Sequence, residues 1–590
     1  MVSAGGDPLW RPSADLHTMR GGTMSATTSD TTSGRPEAEP DGEFTHRQIM
    51  KVMSVLLVSL FVACISGTVI STALPTIVGD LGGQDQLAWV ASAGLLTTTA
   101  STPLWGKLSD LYGRKRLFRF ALILFAASSA LAGLSQTMGQ LITARAVQGI
   151  GVGGITALTQ AIMADVTTPR NRGRYSGWIG SAFGVATVAG PLIGGFLVGS
   201  EALGWRWTFY VGIPFAVAAL VMVERVLKLP HVRREVHVDY LGAALITGAV
   251  TSVLLALSLG GQKWAWNSGT TYTLAALALV LALAAAWQER RAEEPILPPH
   301  LFRSRTFNLA GLGSFTVGFA MFGAMIYLPQ YLQVVRGMSP TRSGLMTLPM
   351  VLGMLGASIV SGRLITRYGR WKAFPLVGLP MIALGLFLLS TLTLGTPLAV
   401  AGLYMLVLGM GLGLSSQVLV LAIQNDVDPA HIGIATSAAS FFRSMGGAVG
   451  VGVLGAILSS KLSSGIPELM VERHVAPPAG GMDGLLGSPS AIHALDAPLQ
   501  SAVVDGFTQG LHTVFLVAAP VTLAGLLAVL AIREVALRGG RTAKSGAGQG
   551  GGSGPRDEAG SAGESEPDGA SDSVEVDLSG SAREKIGSRG

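Results

Sequence analysis

Two arginines occupy places that a membrane-spanning helix would bury in lipid. Arg145 lies in the string from Leu141 to Gly154, and Arg443 in the string from Phe441 to Gly450. A charge there costs roughly 2.5–3.5 kcal/mol or more, so each should face a polar cavity or a partner. Snorkelling to an interface is the competing account for Arg145, about five residues from the start of its apolar stretch, and a weaker one for Arg443, about ten residues in. A third chemical cluster runs from Gly106 to Arg116, G-K-L-S-D-L-Y-G-R-K-R. Asp110 can pair with the cations that follow it and with neighbouring helix ends. Such a cluster can lock one arrangement of helices and release another. A plain basic anchor at a membrane surface is the alternative.

Other chemistries find no support. There is no G-x-x-x-x-G-K-[ST], so ATP is not the evident power source. Gly149, Gly151 and Gly154 match G-x-G-x-x-G but sit inside an apolar helical run, where the dinucleotide reading fails. The single cysteine, Cys64, permits neither an internal disulfide nor a cysteine-based metal site. No enzyme constellation stands out. An enzyme, a cofactor, a metal and a nucleic-acid partner are not expected.

The elements that must hold these residues are apolar helices. The chain has 590 residues, 49% hydrophobic and 13% charged, against roughly 25% charged in soluble domains. A bilayer core needs about 20 helical residues. Fourteen candidate spans follow, near 52–74, 88–105, 117–136, 140–164, 175–198, 207–227, 240–260, 271–288, 308–331, 343–365, 373–394, 397–422, 433–459 and 511–533. The fold class is therefore an all-α membrane protein with 14 transmembrane helices. Basic residues gather in alternate loops: Lys107, Arg114, Lys115 and Arg116; Arg170, Arg172 and Arg174; Lys228, Arg233 and Arg234; Arg363, Arg367, Arg370 and Lys372. By the positive-inside rule these loops and both termini are cytoplasmic, and the protein is a multi-pass one of the plasma membrane. No cleavable signal peptide is visible, and Met24 is a second candidate start.

The cluster at 106–116 nearly recurs at 362–372, G-R-L-I-T-R-Y-G-R-W-K, an offset of 256 residues (106 to 362). Internal duplication of a membrane protein points to transport. The offset exceeds a six-span unit by about one inserted helical pair. The expected plan is a polar cytoplasmic tail at 1–46, a six-helix bundle at 50–228, a two-helix insert at 239–289 and a second six-helix bundle at 306–535. That second bundle carries a long extracytoplasmic loop at 461–510, and a polar cytoplasmic tail follows at 539–590. Each copy of the repeat is expected as a short basic turn. Thr366 replaces the acid in the second, so only the first can form an acidic latch.

These strings resemble the major facilitator superfamily, in particular its fourteen-span drug:proton antiporter branch. The resemblance rests on Ala73-Leu74-Pro75 closing the first span, the 106–116 loop and the Arg145–Gly154 string. It also rests on Gly190-Pro191-Leu192-Ile193-Gly194-Gly195, Trp205-Arg206-Trp207 and Arg443 to Gly450. It implies alternating access and export of lipophilic or cationic small molecules, with protons and the bilayer as further partners and a monomer as the working unit. It implies that Asp110, Arg114 and Asp165 form a cytoplasmic gate, that Gly190 and Pro191 belong to the antiporter signature, and that Arg145 lies near the proton machinery, with Arg443 a second coupling candidate. One departure stands out: Ser66 occupies a first-span place where many members carry an acid, and Asp165, Glu224 and Asp505 all sit near span ends. An importer of a nutrient or siderophore, and a sensor or scaffold without transport, remain alternatives.

A cavity in this architecture should form between the halves near the midplane. Its candidate lining is Ser66, Gln148, Gln160, Trp178, Tyr327, Gln330 and Gln417. Methionines crowd the later spans, among them Met321, Met350 and Met354, as core filler or as a tolerant binding surface.

Overall fold

Apolar runs of this length fold as helices because lipid leaves no other partner for backbone N–H and C=O groups. The computed structural model describes residues 45–535 and 537, without 82–86, 168, 201–202, 228–238, 261–263, 265, 294, 429–430, 476–491 and 494. The tails expected at 1–46 and 539–590 lie outside the described residues, except Thr45 and His46. So do Lys228, Arg233 and Arg234 and the side chains of Pro191, Arg170, Arg172 and Arg174.

The first group of helices is α1 (His46–Leu81), α2 (Leu87–Tyr112), α3 (Arg114–Gly133), α4 (Met138–Val166), α5 (Pro169–Gly199), α6 (Trp207–Tyr210) and α7 (Gly212–Val226). A hairpin follows, α8 (Tyr240–Leu259) and α9 (Gly269–Glu289). The second group is α10 (Arg305–Gln330), α11 (Pro340–Met346), α12 (Leu348–Tyr368), α13 (Ala373–Ser390), α14 (Leu398–Asp426), α15 (Ile432–Glu472) and α16 (Ala497–Leu530). Short polar side chains start several of them. Thr137, Ser268, Ser304 and Ser339 each accept a hydrogen bond from a backbone N–H in the first turn, satisfying donors the helix leaves unpaired.

Among the described residues, twelve helical segments are long and apolar enough to cross a membrane, where fourteen were expected. The two left out are α2 and α5, 26 and 31 residues long. Thr97, Thr98, Thr99, Ser101 and Thr102 make α2 polar, and many side chains along α5 lie outside the described residues. Both helices pack against the second group, so much of their surface meets protein.

Three expected boundaries move. The first helix does not end at Pro75, since α1 continues to Leu81. The loop expected at 461–510 is helical at both ends, α15 running to Glu472 and α16 starting at Ala497. The expected basic turn at 106–116 is mostly helix. α2 continues to Tyr112, α3 begins at Arg114, and the corner is Gly113 alone, at φ 92°. Gly369, its counterpart in the repeat, sits at φ 72°. Both glycines of the repeat thus hold backbone shapes that a Cβ would strain.

Within the first group α2 and α3 pack on α4, and α5 and α7 on α1. Within the second, α10 packs on α15 and α16, and α14 on α12 and α13. The groups meet along two seams, α2 with α15 and α5 with α12. The hairpin is not peripheral to this plan. Ile246, Val250 and Leu254 of α8 share an apolar cluster with Leu96 and Ala100 of α2 and Phe441 and Ala448 of α15.

Candidate functional site: a charged latch and a polar cavity between the helix groups

At the basic-loop face, Gly113 turns the chain so that Arg114 points back at α2. Its Nη2 donates to Asp110 Oδ1 at 2.6 Å, its Nε to Asp165 Oδ2 at 2.8 Å, and its Nη1 to Ser109 Oγ. The three residues expected to form a gate are therefore in one cluster. Asp110 and Arg114 side chains are only 15% and 12% exposed. Asp110 lies beyond the expected spanning stretch of α2. Burial pushes its carboxyl up to about 6, against the pull of Arg114 and with Asp165 adding to the rise. Its Oδ2 is buried without a hydrogen-bond partner.

This cluster is pressed against the other helix group. A Cβ on Gly433, at the start of α15, would collide with the Asp110 carboxylate and the Arg114 guanidinium, and one on Gly106 would collide with Ser437. A carboxylate at a helix N-terminus is also favourably placed. Gly433 and Ser437 are contact positions of this cluster that sequence reasoning missed, since a glycine and a serine in an apolar run carry no signal until a partner helix arrives. In the second copy of the repeat Thr366 Oγ1 donates to Gly362 O at 2.9 Å, inside its own helix.

Deeper in the first group, Arg145 is 8% exposed. Its Nη1 donates to Gln148 Oε1 at 2.5 Å and its Nε to Val90 O at 3.4 Å, while Gln148 Nε2 donates to Ser129 Oγ at 2.6 Å. Gln148 thus joins α4 to α3, and Arg145 joins α4 to α2. Gly190 lets α5 close on α1, where its Cβ would overlap Thr68.

The cavity candidates divide. Gln160 Nε2 of α4 donates to Gln417 Oε1 of α14 at 3.3 Å, a bond from one group to the other. Beside it a remnant cavity of about 20 Å³ is lined by Gly180, Phe183, Met321, Met354, Ser358, Leu412, Ser416, Gln417 and Arg443. That is room for about one water, so both seams are closed here. The others lie elsewhere. Ser66 Oγ donates to Ala63 O at 3.0 Å within α1, and Tyr327 Oη donates to Val451 O at 2.7 Å between α10 and α15. Gln330 Oε1 is buried without a hydrogen-bond partner, and Trp178 is 45% exposed. Phe183 and Ser358 line the cavity without having been expected there.

Comparison with known proteins matches this arrangement. The family model "Major Facilitator Superfamily" matches residues 56–451. An uncharacterized MFS-type transporter of Mycobacterium tuberculosis is 39% identical over 486 residues, 82% of this chain and 70% of that one. The multidrug transporter protein MdtP of Bacillus subtilis is 36% identical over 481 residues, 78% of this chain and 88% of that one. Among solved structures, the human organic anion transporter MFSD10 aligns with a TM-score of 0.54 at 17% identity over 82% of this chain and 99% of that one, a likeness of fold alone. With two helix groups, a polar contact between them and a family match over most of its length, this chain belongs to the major facilitator superfamily of membrane transporters and is not an enzyme.

Proposed function

We propose that the chain is a fourteen-span secondary transporter that exports amphipathic small molecules in exchange for protons. In this reading α2 and α5 complete the fourteen, as two six-helix halves around the hairpin of α8 and α9. The basic-loop face and both termini are cytoplasmic, and one polypeptide suffices in the plasma membrane. The observation that carries the reading is a small cavity between two helix groups, where Ser358, Ser416, Gln417 and Arg443 interrupt an apolar wall, with an ionic cluster, Asp110–Arg114–Asp165, at one end of one seam. Opening that seam while the other stays shut would expose the cavity to one side at a time. Relatives named as multidrug transporters support the cargo class.

Arg145 acts in coupling by setting the polar environment between α2 and α4, since a guanidinium holds its proton at any working pH. Gly190 and Pro191 belong to the moving helix α5. Expression in a drug-sensitive host should raise resistance to lipophilic compounds, and Arg145→Ala should abolish the gain. Resistance at the parent level in that variant would remove Arg145 from the machinery. In proteoliposomes, cargo flux should be accompanied by counterflow of protons. Cargo flux without any pH response would defeat antiport.

A further inference from the structure

Arg443 is a buried cation that the gating cluster leaves unused. It is 6% exposed and projects from α15 into the cavity between the groups, beside Gln417, Ser416 and Ser358. Among the described residues it makes no salt bridge and no hydrogen bond. Its guanidinium lies 6.0 Å from the ring of Phe183, with Cys64 within electrostatic reach. Its environment is otherwise methionine, leucine and amide. Among the described residues the carboxylates lie toward helix ends or between helices, and four of them are held by other cations: Asp110 and Asp165 by Arg114, Glu224 by Lys115 and Arg119, Asp505 by Arg473. Ser66, at the first-span place where the family resemblance leads one to expect an acid, bonds inside its own helix.

A guanidinium cannot shed its charge, and in a low-dielectric site it favours an anion with oxygens spaced to accept two of its donors. Fixed charge in a cavity also discriminates by repulsion as much as by attraction. We infer that Arg443 makes the space between the halves an anion subsite, so that the cargo carries a carboxylate, sulfonate or phosphate on a lipophilic frame. Of the lipophilic or cationic cargo that the resemblance implies, this reading keeps the lipophilic frame and gives it an anionic group, since the cavity lining holds no carboxylate to meet a cation. Gln417 and Ser416 supply polar atoms beside the anion, and Met321, Met354 and Phe183 supply an adaptable apolar wall.

The inference rests on the transporter reading, and the test separates the two. Carboxyfluorescein and rhodamine 123 share a xanthene frame and differ in charge. Equilibrium binding of each to the purified full chain in nanodiscs reads the subsite, and efflux from proteoliposomes reads transport. The parent should bind carboxyfluorescein at least tenfold more tightly than rhodamine 123. Arg443→Gln should erase that preference and Arg443→Lys should keep part of it. Gln417→Glu, nearly isosteric, should also erase it by placing a carboxylate beside Arg443, and it decides the matter if Arg443→Gln does not fold. Equal or tighter binding of rhodamine 123, no binding of either dye, or a preference surviving both neutralising changes would overturn the subsite. A preference that holds while neither dye is moved would sink the transporter reading and leave the subsite standing.

Discussion

At Gly433 one hydrogen atom in place of a methyl group lets an ionic cluster seat against the opposing helix. Gly433→Ala would drive a Cβ into Asp110 and Arg114. Overpacking of this kind costs about 1–3 kcal/mol, enough to shift a two-state equilibrium roughly 5–150-fold. The variant should open the α2–α15 seam. Thiol labelling of a cysteine placed at Ser437, in a Cys64→Ser background, should then accelerate by at least fivefold, roughly the lower bound of that shift. Unchanged labelling would show that the contact does not hold the seam shut. Asp110 adds a pH dependence whose sign is fixed. Its folded carboxyl titrates near 6 because it is buried, and the unfolded one near 4. The folded state therefore binds the extra proton, and stability contributed by this group is present below about 4 and lost as pH rises through about 6. Asp110→Asn cannot ionise. Its stability relative to the parent should rise between pH 5 and pH 7.5, by about 3 kcal/mol at most, as read by thermal unfolding in detergent. A difference that does not vary with pH would contradict this account.

At the scale of elements, the seam between α5 and α12 is tight enough to cross-link. A Cβ built on Gly180 lies 3.7 Å from Ser358 Cβ, within the range of a disulfide. The double change Gly180→Cys and Ser358→Cys, with Cys64→Ser, should form a disulfide on mild oxidation. Oxidation should arrest transport, and reduction should restore it. Full activity in the oxidised protein would mean that these helices do not separate in the cycle. The hairpin of α8 and α9 has an equally testable place. Gly452 of α15 meets the backbone of Leu257 in α8, so Gly452→Leu should lift the hairpin from the α2–α15 seam and lower the unfolding temperature by several degrees. A bulkier residue tolerated there without loss would place the hairpin away from the seam.

For the whole molecule the leading prediction concerns orientation. Cysteines placed singly at Lys115 and at Lys372 should be labelled from the same side of intact cells, the cytoplasmic one, and a cysteine at Arg473 from the other. Labelling of Lys115 and Lys372 positions from opposite sides would break the repeat symmetry that the 256-residue offset implies. Much of this plan was legible in the chain itself. Long apolar runs named the helices, and the two copies of the glycine–basic string marked related corners. Gly113 and Gly369 then proved to be those corners, because only a residue without a Cβ turns so sharply at positive φ.

What the sequence determined by itself is local or compositional: helix content, the order of spans, the pairing of Asp110 with Arg114 four residues away, and membership of a transporter family through contiguous motifs. Tertiary structure alone decided which faces meet. Gln148 serves the first helix group internally and Gln160 reaches across to Gln417, though both are glutamines in one glycine-rich helix. Arg145 finds a glutamine and a backbone carbonyl, while Arg443 finds a cavity and, among the described residues, neither a hydrogen-bond acceptor nor a carboxylate. In lipid a span can be apolar over its whole circumference, so hydrophobic pattern does not say which side looks inward. That side is set by which helices approach closely enough to exclude lipid, and the glycines that permit the approach announce themselves only once the partner is in place.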